Sequence, residues 1–199
     1  MRTEYSNWRK LDNAALAFPL VTGENDTRVF RFYCQLKEEV DSDILQQALD
    51  RTMEKYPLFQ AVLRKGLFWF YLEHSDIRAL VKPETEPPCS RLYIPDKKSL
   101  LFQVSYYKER INFEVFHALT DGTGATEFLR ELVKNYLYLI HEEEIEPVEL
   151  SDQYLTVKDQ EDDSFSRYYD PDFPRKKQKK SKAFQIKKSG KGYEELQIN

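Results

Sequence analysis

The chain has 199 residues, of which 41% are hydrophobic and 14% aromatic, enough for one large domain with a substantial core. Charged residues reach 32% and the net charge is −4, which excludes a global attraction to nucleic acid or to an anionic membrane. The sequence has no apolar run of the about 18 residues that span a membrane, and no signal-peptide segment at its start. We therefore expect a cytoplasmic protein without a membrane span.

The first half of the chain predicts a strand followed by a helix. Residues 29–36 alternate between apolar and polar side chains, which indicates a strand with one face on a core. Its apolar face carries Phe30, Phe32, Cys34 and Leu36. Residues 41–56 then change to a helical period, with Asp41, Ser42 and Asp43 as a cap and Pro57 as a stop.

Further strands and a second helix follow. Two apolar runs, 58–63 and 67–72, predict a hairpin in which Gly66 takes the strained position. The proline-rich stretch 82–95 predicts a loop. Strands are expected at 100–107 and 111–116, then a helix over 124–140 with Thr123 as its N-cap. This order predicts an α/β (α+β) sandwich, a largely antiparallel mixed sheet with helices packed on it.

After residue 141 the composition changes to an acidic stretch and then a basic one. Acidic side chains dominate 142–163, and the run 175–191 is basic with few core-forming residues. We predict a folded lobe over 1–145 and a charged linker over 146–199. The basic run suits phosphates, but without interleaved stacking aromatics a solvated linker is favoured over a nucleic-acid interface.

The second predicted strand pair ends in the motif His117-Ala118-Leu119-Thr120-Asp121-Gly122. A strand end aims an imidazole rigidly at the rim of a sheet, and an ordinary imidazole, which titrates near pH ~6.5, accepts a proton at neutral pH. Asp121 is placed to hold the loop, and Gly122 allows a ligand to approach the backbone closely. Thr123 and Gly124 follow at the start of the helix, where N–H groups face developing negative charge. We predict His117 and Asp121 as catalytic residues and Gly122, Thr123 and Gly124 as binding residues.

Other candidate residues are weaker. A single histidine before a turn is more often a surface residue, and the same holds for His74, near Asp76, and for His141 at the edge of the acidic stretch. The two cysteines, Cys34 and Cys89, have neither metal-site spacing nor a neighbouring histidine. A disulfide between them stays open, and no metal is expected.

The segment Phe116–Gly122 resembles the His-His-x-x-x-Asp-Gly signature of the superfamily of chloramphenicol acetyltransferases, peptide-synthetase condensation domains and alcohol acetyltransferases. The predicted strand before the motif and helix after it agree with that superfamily. Two earlier stretches are also similar to its N-terminal part: Leu11–Ala15 with Phe18-Pro19, and the first helix with Tyr56-Pro57-Leu58-Phe59. The resemblance covers roughly residues 10–140, and more loosely extends to 190.

The resemblance implies a lobe with the chloramphenicol acetyltransferase-like fold and His117 as general base. It further implies that Asp121 orients the loop through an arginine, for which Arg28 and Arg31 are candidates, and that Gly122 leaves room for the acyl donor. The implied co-substrate is acyl-CoA or another acyl thioester, with a small-molecule hydroxyl or amine acceptor and no tightly bound cofactor.

The sequence departs from the superfamily pattern in two ways, one in the motif itself and one in the second lobe. Phe116 stands where the first histidine of the pair is expected, and the chain contains no Asp-Phe-Gly-Trp-Gly-like motif of a second lobe. The resemblance therefore implies the first lobe of a two-lobed enzyme, completed by a second lobe or a homo-oligomer partner. The open alternatives are a non-catalytic lobe that binds an acyl carrier or partner chain, and a nucleic-acid-associated protein acting through the basic tail.

Overall fold

The computed structural model describes residues 8–11, 15–24, 26–67 and 69–141, which lie in one compact unit. The predicted boundary at 145/146 and both charged stretches lie outside the described residues. The elements in chain order are β1 (Trp8–Lys10), α1 (Ala17–Val21), β2 (Val29–Gln35), α2 (Ser42–Lys55), a 3-10 turn (Pro57–Phe59), β3 (Ala61–Lys65), β4 (Phe70–His74), β5 (Val81–Pro83), β6 (Phe102–Tyr107), β7 (Arg110–Phe116) and α3 (Gly122–Ile140).

The strands form two sheets. The smaller has the order β1-β4-β3 and is antiparallel throughout. The larger has the order β2-β7-β6-β5, antiparallel except for the parallel pair of β5 with β6. The predicted mixed, largely antiparallel sheet is confirmed, and it is divided into two pieces.

The core lies between the larger sheet and the two long helices. α2 and α3 pack on each other, and α3 also lies against β2. Phe128 of α3 stacks on Phe113 of β7 with ring centroids 4.7 Å apart and on Phe59 at 4.4 Å. Phe113 and Phe128 are fully buried. This aromatic layer fixes helix and sheet together, and it confirms the predicted sandwich.

The start of α2 forms as the sequence predicts. The Asp41 carboxylate accepts hydrogen bonds from the backbone N–H groups of Asp43 and Ile44 at 2.9 and 3.0 Å. The Asp41 N–H in turn donates to the Tyr136 hydroxyl of α3 at 2.9 Å. The helix ends before Pro57, which lacks the N–H that another turn requires. The cap therefore also ties the two helices together.

The predicted hairpin was displaced along the chain. Residues 58–60 belong to the 3-10 turn that Pro57 begins and to its cap, so β3 starts only at Ala61. Gly66 does not adopt the left-handed backbone expected of it. Its N–H donates to the Trp69 carbonyl at 2.7 Å, and a Cβ there would lie 3.1 Å from that oxygen. Close approach, and not a strained dihedral angle, favours glycine at this turn.

Three short elements were not predicted from the sequence, and the two cysteines do not form the disulfide that the sequence left open. β1 and α1 were not predicted, and β5 lies partly inside the expected loop 82–95. Cys34 and Cys89 are both half-buried free thiols. Within the described ranges, no cluster of three metal-ligating side chains occurs. Among the same residues, no helix has the length and apolarity to cross a membrane.

Replacing Phe128 by alanine should lower the free energy of unfolding by about 3–5 kcal/mol, because it removes a fully buried ring from the layer joining α3 to the sheet. Denaturant titration measures this loss. The matched control is Leu137→Ala on the exposed side of the same helix, which should change stability by less than about 1 kcal/mol. Equal losses in the two variants would contradict the packing described above.

Candidate active site

Backbone hydrogen bonds fix His117 at the end of β7. The Phe116 N–H donates to the Leu101 carbonyl at 2.8 Å, and the His117 N–H donates to the Arg28 carbonyl at 2.9 Å. Arg28 immediately precedes β2 and has a left-handed backbone, with φ of 53°. The expected position of His117, at a strand end on the rim of the larger sheet, is confirmed.

The imidazole of His117 is held by two phenyl rings. Phe18 of α1 stacks on it with centroids 4.3 Å apart and planes inclined by 12°. Phe30 of β2 contacts it at 4.9 Å and 59°. The side chain is half-buried, so its orientation is restricted while part of it stays accessible to solvent. The contact of Phe18 with His117 was not predicted, because α1 has only five residues, which are too few to show a helical period in the sequence.

Asp121 holds the loop by capping α3. Its carboxylate accepts a hydrogen bond from the Gly124 N–H at 2.9 Å. The helix therefore begins at Gly122, and the prediction of Thr123 as N-cap was wrong. Aspartate satisfies an orphan N–H and also places negative charge at the positive end of the helix dipole, which favours it over the nearby threonine.

The two arginines suggested as partners of Asp121 are engaged elsewhere. Arg28 pairs with Asp26 at 2.8 Å. Arg31 lies opposite Glu114 in the β2–β7 register and binds its carboxylate at 2.9 Å. Because side chains alternate along a strand, Arg31 lies on the opposite face of the sheet from Phe30 and the imidazole that it contacts. Both suggestions were wrong, and Asp121 acts on the loop through the helix.

The three predicted binding residues differ in what they offer. Gly124 spends its N–H on Asp121, and a Cβ there would lie 2.2 Å from the Thr120 hydroxyl oxygen, so its role is local packing. Gly122 and Thr123 are exposed. A Cβ at Gly122 would meet only the Phe32 ring, at 4.0 Å. Open space next to Gly122 thus lies over Phe32, whose ring is 5.7 Å from that of Phe30.

His117 lies next to Phe30, Gly122 lies next to Phe32, and the two phenyl rings together form an apolar floor. At the start of α3, the N–H groups of the first turn are those that no preceding turn can bind. Since Asp121 takes the N–H of Gly124, those of Gly122 and Thr123 remain directed away from the helix. The arrangement brings a half-buried imidazole, two backbone N–H donors and an apolar surface to one end of the larger sheet.

A charged network on the other face of the larger sheet braces the strand that carries His117. Arg31 binds the carboxylates of Glu114 and Glu84, and Glu84 also accepts from Arg110 at 2.7 Å and from Asn112 at 3.3 Å. Burial favours the neutral form of Glu84, but the two guanidinium groups outweigh it and hold its pKa below the ordinary value. The network links β2 and β7 to the segment after β5.

The sequence contains a signal for this network. Arg31 and Glu114 are each a single charge within an otherwise uncharged strand segment, and pairing the two strands brings them together.

The other two histidines belong neither to the site at His117 nor to the charged network. His74 is exposed, 4.0 Å from Asp76, and His141 is a half-buried C-cap of α3 and not the solvated residue expected.

Comparison with known proteins gives the fold alone. No family model matches the sequence, and no curated protein matches it. Solved structures do match. The starter condensation domain of rhizomide synthetase RzmA has a TM-score of 0.56 at 12% identity, over 69% of this chain and 39% of that one. A variant of that domain in complex with C8-CoA has a TM-score of 0.58 at 11% identity, over 68% and 37%.

Polyketide synthase associated protein 5 from Mycobacterium tuberculosis matches with a TM-score of 0.51 at 19% identity, over 66% of this chain and 33% of that one. The chain thus has the fold of CoA-dependent acyltransferases and condensation domains. It spans less than two fifths of the length of each of these three structures.

Asp121→Ala should lower the free energy of unfolding by about 1 kcal/mol, because α3 loses its N-cap. Asp121→Asn keeps a side-chain oxygen at the same place and should retain most of that stability. Urea titration of both variants measures the difference. If asparagine were as damaging as alanine, the aspartate charge and not the cap would be what holds the loop.

Glu84→Gln should lower the free energy of unfolding at neutral pH by about 2 kcal/mol, because two charge-assisted hydrogen bonds weaken. The folded pKa of Glu84 is depressed, so its contribution is present above the ordinary carboxyl value near ~4.3 and is lost as pH falls through the folded pKa. The two proteins should therefore converge in stability in acid. The control is Glu86→Gln, an exposed carboxylate in the same loop, and a constant offset at all pH values would refute the assignment.

Proposed function

We propose that this chain is the first lobe of a CoA-dependent acyltransferase in which His117 is the general base. The observation that carries the proposal is the half-buried imidazole at the end of β7, fixed by Phe18 and Phe30 beside the first turn of α3. The fold shared with a condensation domain crystallised with C8-CoA supports an acyl thioester as the donor. CoA itself and the phosphopantetheine of a carrier protein are both compatible donors.

The proposed reaction transfers an acyl group to a hydroxyl or amine. A ring nitrogen of His117 takes the proton from the acceptor as the acceptor oxygen or nitrogen attacks the thioester carbonyl carbon. The carbonyl becomes a tetrahedral oxyanion. When it collapses, the carbon–sulfur bond breaks, and the departing thiolate takes the proton back from the imidazolium, which leaves the ester or amide and a free thiol.

The chain supplies three aids to this reaction. The rings of Phe18 and Phe30 hold the imidazole in one orientation, which reduces the entropy lost on reaching the transition state. The first turn of α3 presents the N–H groups of Gly122 and Thr123 and the positive end of a helix dipole toward negative charge. The open space over Phe32 accepts an apolar part of the donor.

A second lobe or a partner chain would complete the site. Leu20 follows Phe18 in α1 and is 73% exposed, and the neighbouring Val21 is exposed as well. These exposed apolar side chains belong to the same five-residue helix as Phe18, which stacks on the imidazole, and a second lobe would cover them. The part of this chain that matches covers less than two fifths of each of these structures, so they have the length to supply such a wall.

A second candidate function is a non-catalytic lobe that binds an acyl carrier or partner chain. It is favoured by Phe18, which covers one face of the imidazole, and by Phe116, which replaces the first histidine of the resembled motif. Its core would be the same apolar surface around Phe30 and Phe32. Turnover separates the two candidates, because only the enzyme releases a thiol.

The test incubates the full chain with acyl-CoA and a panel of alcohols and amines, alone and with the second lobe of a two-lobed relative, and measures free thiol. His117→Ala should lower the rate by about a hundredfold to ten-thousandfold, because the base is lost. His74→Ala, at an exposed histidine outside the site, should leave the rate unchanged.

Two results would reject the enzyme. Thiol release that persists in His117→Ala would remove the proposed base. Binding of acyl-CoA without release, even with a second lobe supplied, would leave the non-catalytic lobe as the function.

A further inference from the structure

The turn between β3 and β4 presents large apolar side chains to solvent. Leu67 is 84% exposed and Trp69 is 54% exposed. Trp8 of the neighbouring strand β1 is 58% exposed and packs edge-on against Tyr71, with ring centroids 6.4 Å apart. Trp8 and Trp69 are the only two tryptophans of the chain. Both indole rings therefore lie on the small sheet, away from the core described above.

Basic side chains lie next to this apolar turn. A cavity of about 260 Å³ opens beside it, lined on its charged side by Arg64, Lys65, Lys97 and Asp96. Arg64 is engaged by Glu73 at 2.6 Å, and its hydrogen bond, with a further contribution from Lys98, lowers the pKa of that carboxyl. Lys65 and Lys97 form no ion pair with another residue in the described part of the chain. Positive charge is thus in excess around the cavity.

A third source of positive charge lies on β1. Lys10 is directly opposite Tyr71 in the antiparallel register, and Tyr71 also lines the cavity. The exposed apolar turn is accordingly flanked by cations from β1, from β3 and from the loop that contains Lys97. The chain as a whole has a net charge of −4, so this positive surface is local.

This combination selects one partner. Protein interfaces are depleted of lysine at their cores, and a site for a free phosphate gives no reason to expose Leu67 and Trp69. A membrane surface uses both features, since tryptophan and leucine enter the boundary between headgroups and acyl chains while lysines attract anionic lipids. The cavity beside the turn has the charge to accept the phosphate of a headgroup.

We propose that the β3–β4 turn is a peripheral membrane-binding site for anionic phospholipids, in which Leu67 and Trp69 enter the interface and Lys65 and Lys97 bind lipid phosphate. The site lies on the small sheet and does not depend on the chemistry at His117. Trp8 marks its side, where β1 meets the bilayer surface. Attachment is reversible, because one short turn buries little apolar area.

The test uses the full chain with phosphatidylcholine vesicles, prepared with and without phosphatidylglycerol. Because Trp69 lies in the turn and Trp8, the other tryptophan, lies on the same small sheet, tryptophan emission reports on this region. With the vesicles that contain phosphatidylglycerol, and not with the others, we expect the tryptophan emission to shift to shorter wavelength and to be quenched by brominated acyl chains. Added salt should weaken both effects. In Trp8→Phe the same changes should persist, because Trp69 alone then reports the turn.

Two variants divide the binding into its parts, and co-sedimentation with the anionic vesicles measures the partition constant. Leu67→Ser should lower it about tenfold by removing apolar contact. Lys65→Gln with Lys97→Gln should lower it about 30-fold by removing two charges near the surface. The controls are Leu80→Ser, at another exposed leucine, and Lys37→Gln with Lys108→Gln, which remove the same charge elsewhere. Both controls should bind as the unmodified chain does.

Four results would overturn the proposal. The first is no partition into anionic vesicles at low salt. The second is partition that Leu67→Ser leaves unchanged. The third is binding of glycerol phosphate at Lys65 and Lys97 without vesicle binding, which would make the cavity a site for a soluble phosphate. The fourth is concentration-dependent self-association, abolished by Leu67→Ser in light scattering, which would make the turn an interface between copies of the chain.

Discussion

The pairing of β2 with β7 is the constraint on which the rest of the structure depends. The two strands are in register over seven residue pairs, from Val29 opposite Phe116 to Gln35 opposite Arg110. On one face this pairing brings Phe30 to His117, directly after β7, and Phe32 to Gly122, the first residue of α3. On the other face it sets Arg31 against Glu114. A shift of the register by one residue would exchange the two faces and remove both the aromatic floor and the ion network.

The same pairing explains which parts of the structure the sequence could predict. The alternation of 29–36 and 111–116 and the helical stripe of 41–56 are strong periodic signals, and each formed an element of the expected type. The motif at His117 was correctly placed because a strand period ends there. The helix cap was misassigned by two residues, since Asp121 and Thr123 are both good caps and local sequence does not choose between them.

What the sequence could not supply depends on contacts between distant segments. Phe18 reaches His117 across about a hundred residues of chain, and α1 is too short to carry a period. Arg31 was one of two arginines considered as partners of Asp121, whereas the strand register places it opposite Glu114. The hairpin shifted because Pro57 starts a 3-10 turn, which uses apolar residues that also suit a strand. In each case packing decided between options that were locally equivalent.

The two sheets present different kinds of surface to solvent. The larger sheet presents the imidazole and its aromatic floor, and its other face is closed by charge. The smaller sheet contributes Leu63 and Leu72 to the core and carries exposed indoles on the outside. In the two proposals made above, the thioester and the lipid therefore contact separate surfaces of the protein.

The left-handed backbone of Arg28 helps to fix the position of His117 at the edge of the larger sheet. An L-residue with φ of 53° holds conformational strain that a glycine would not feel, and the carbonyl of this same residue receives the His117 N–H. The strained peptide works as a rigid spacer, because relaxing it toward the extended region would carry its carbonyl away from the histidine. A mutation that lets the backbone at position 28 relax would loosen the hold on His117 without changing the histidine itself.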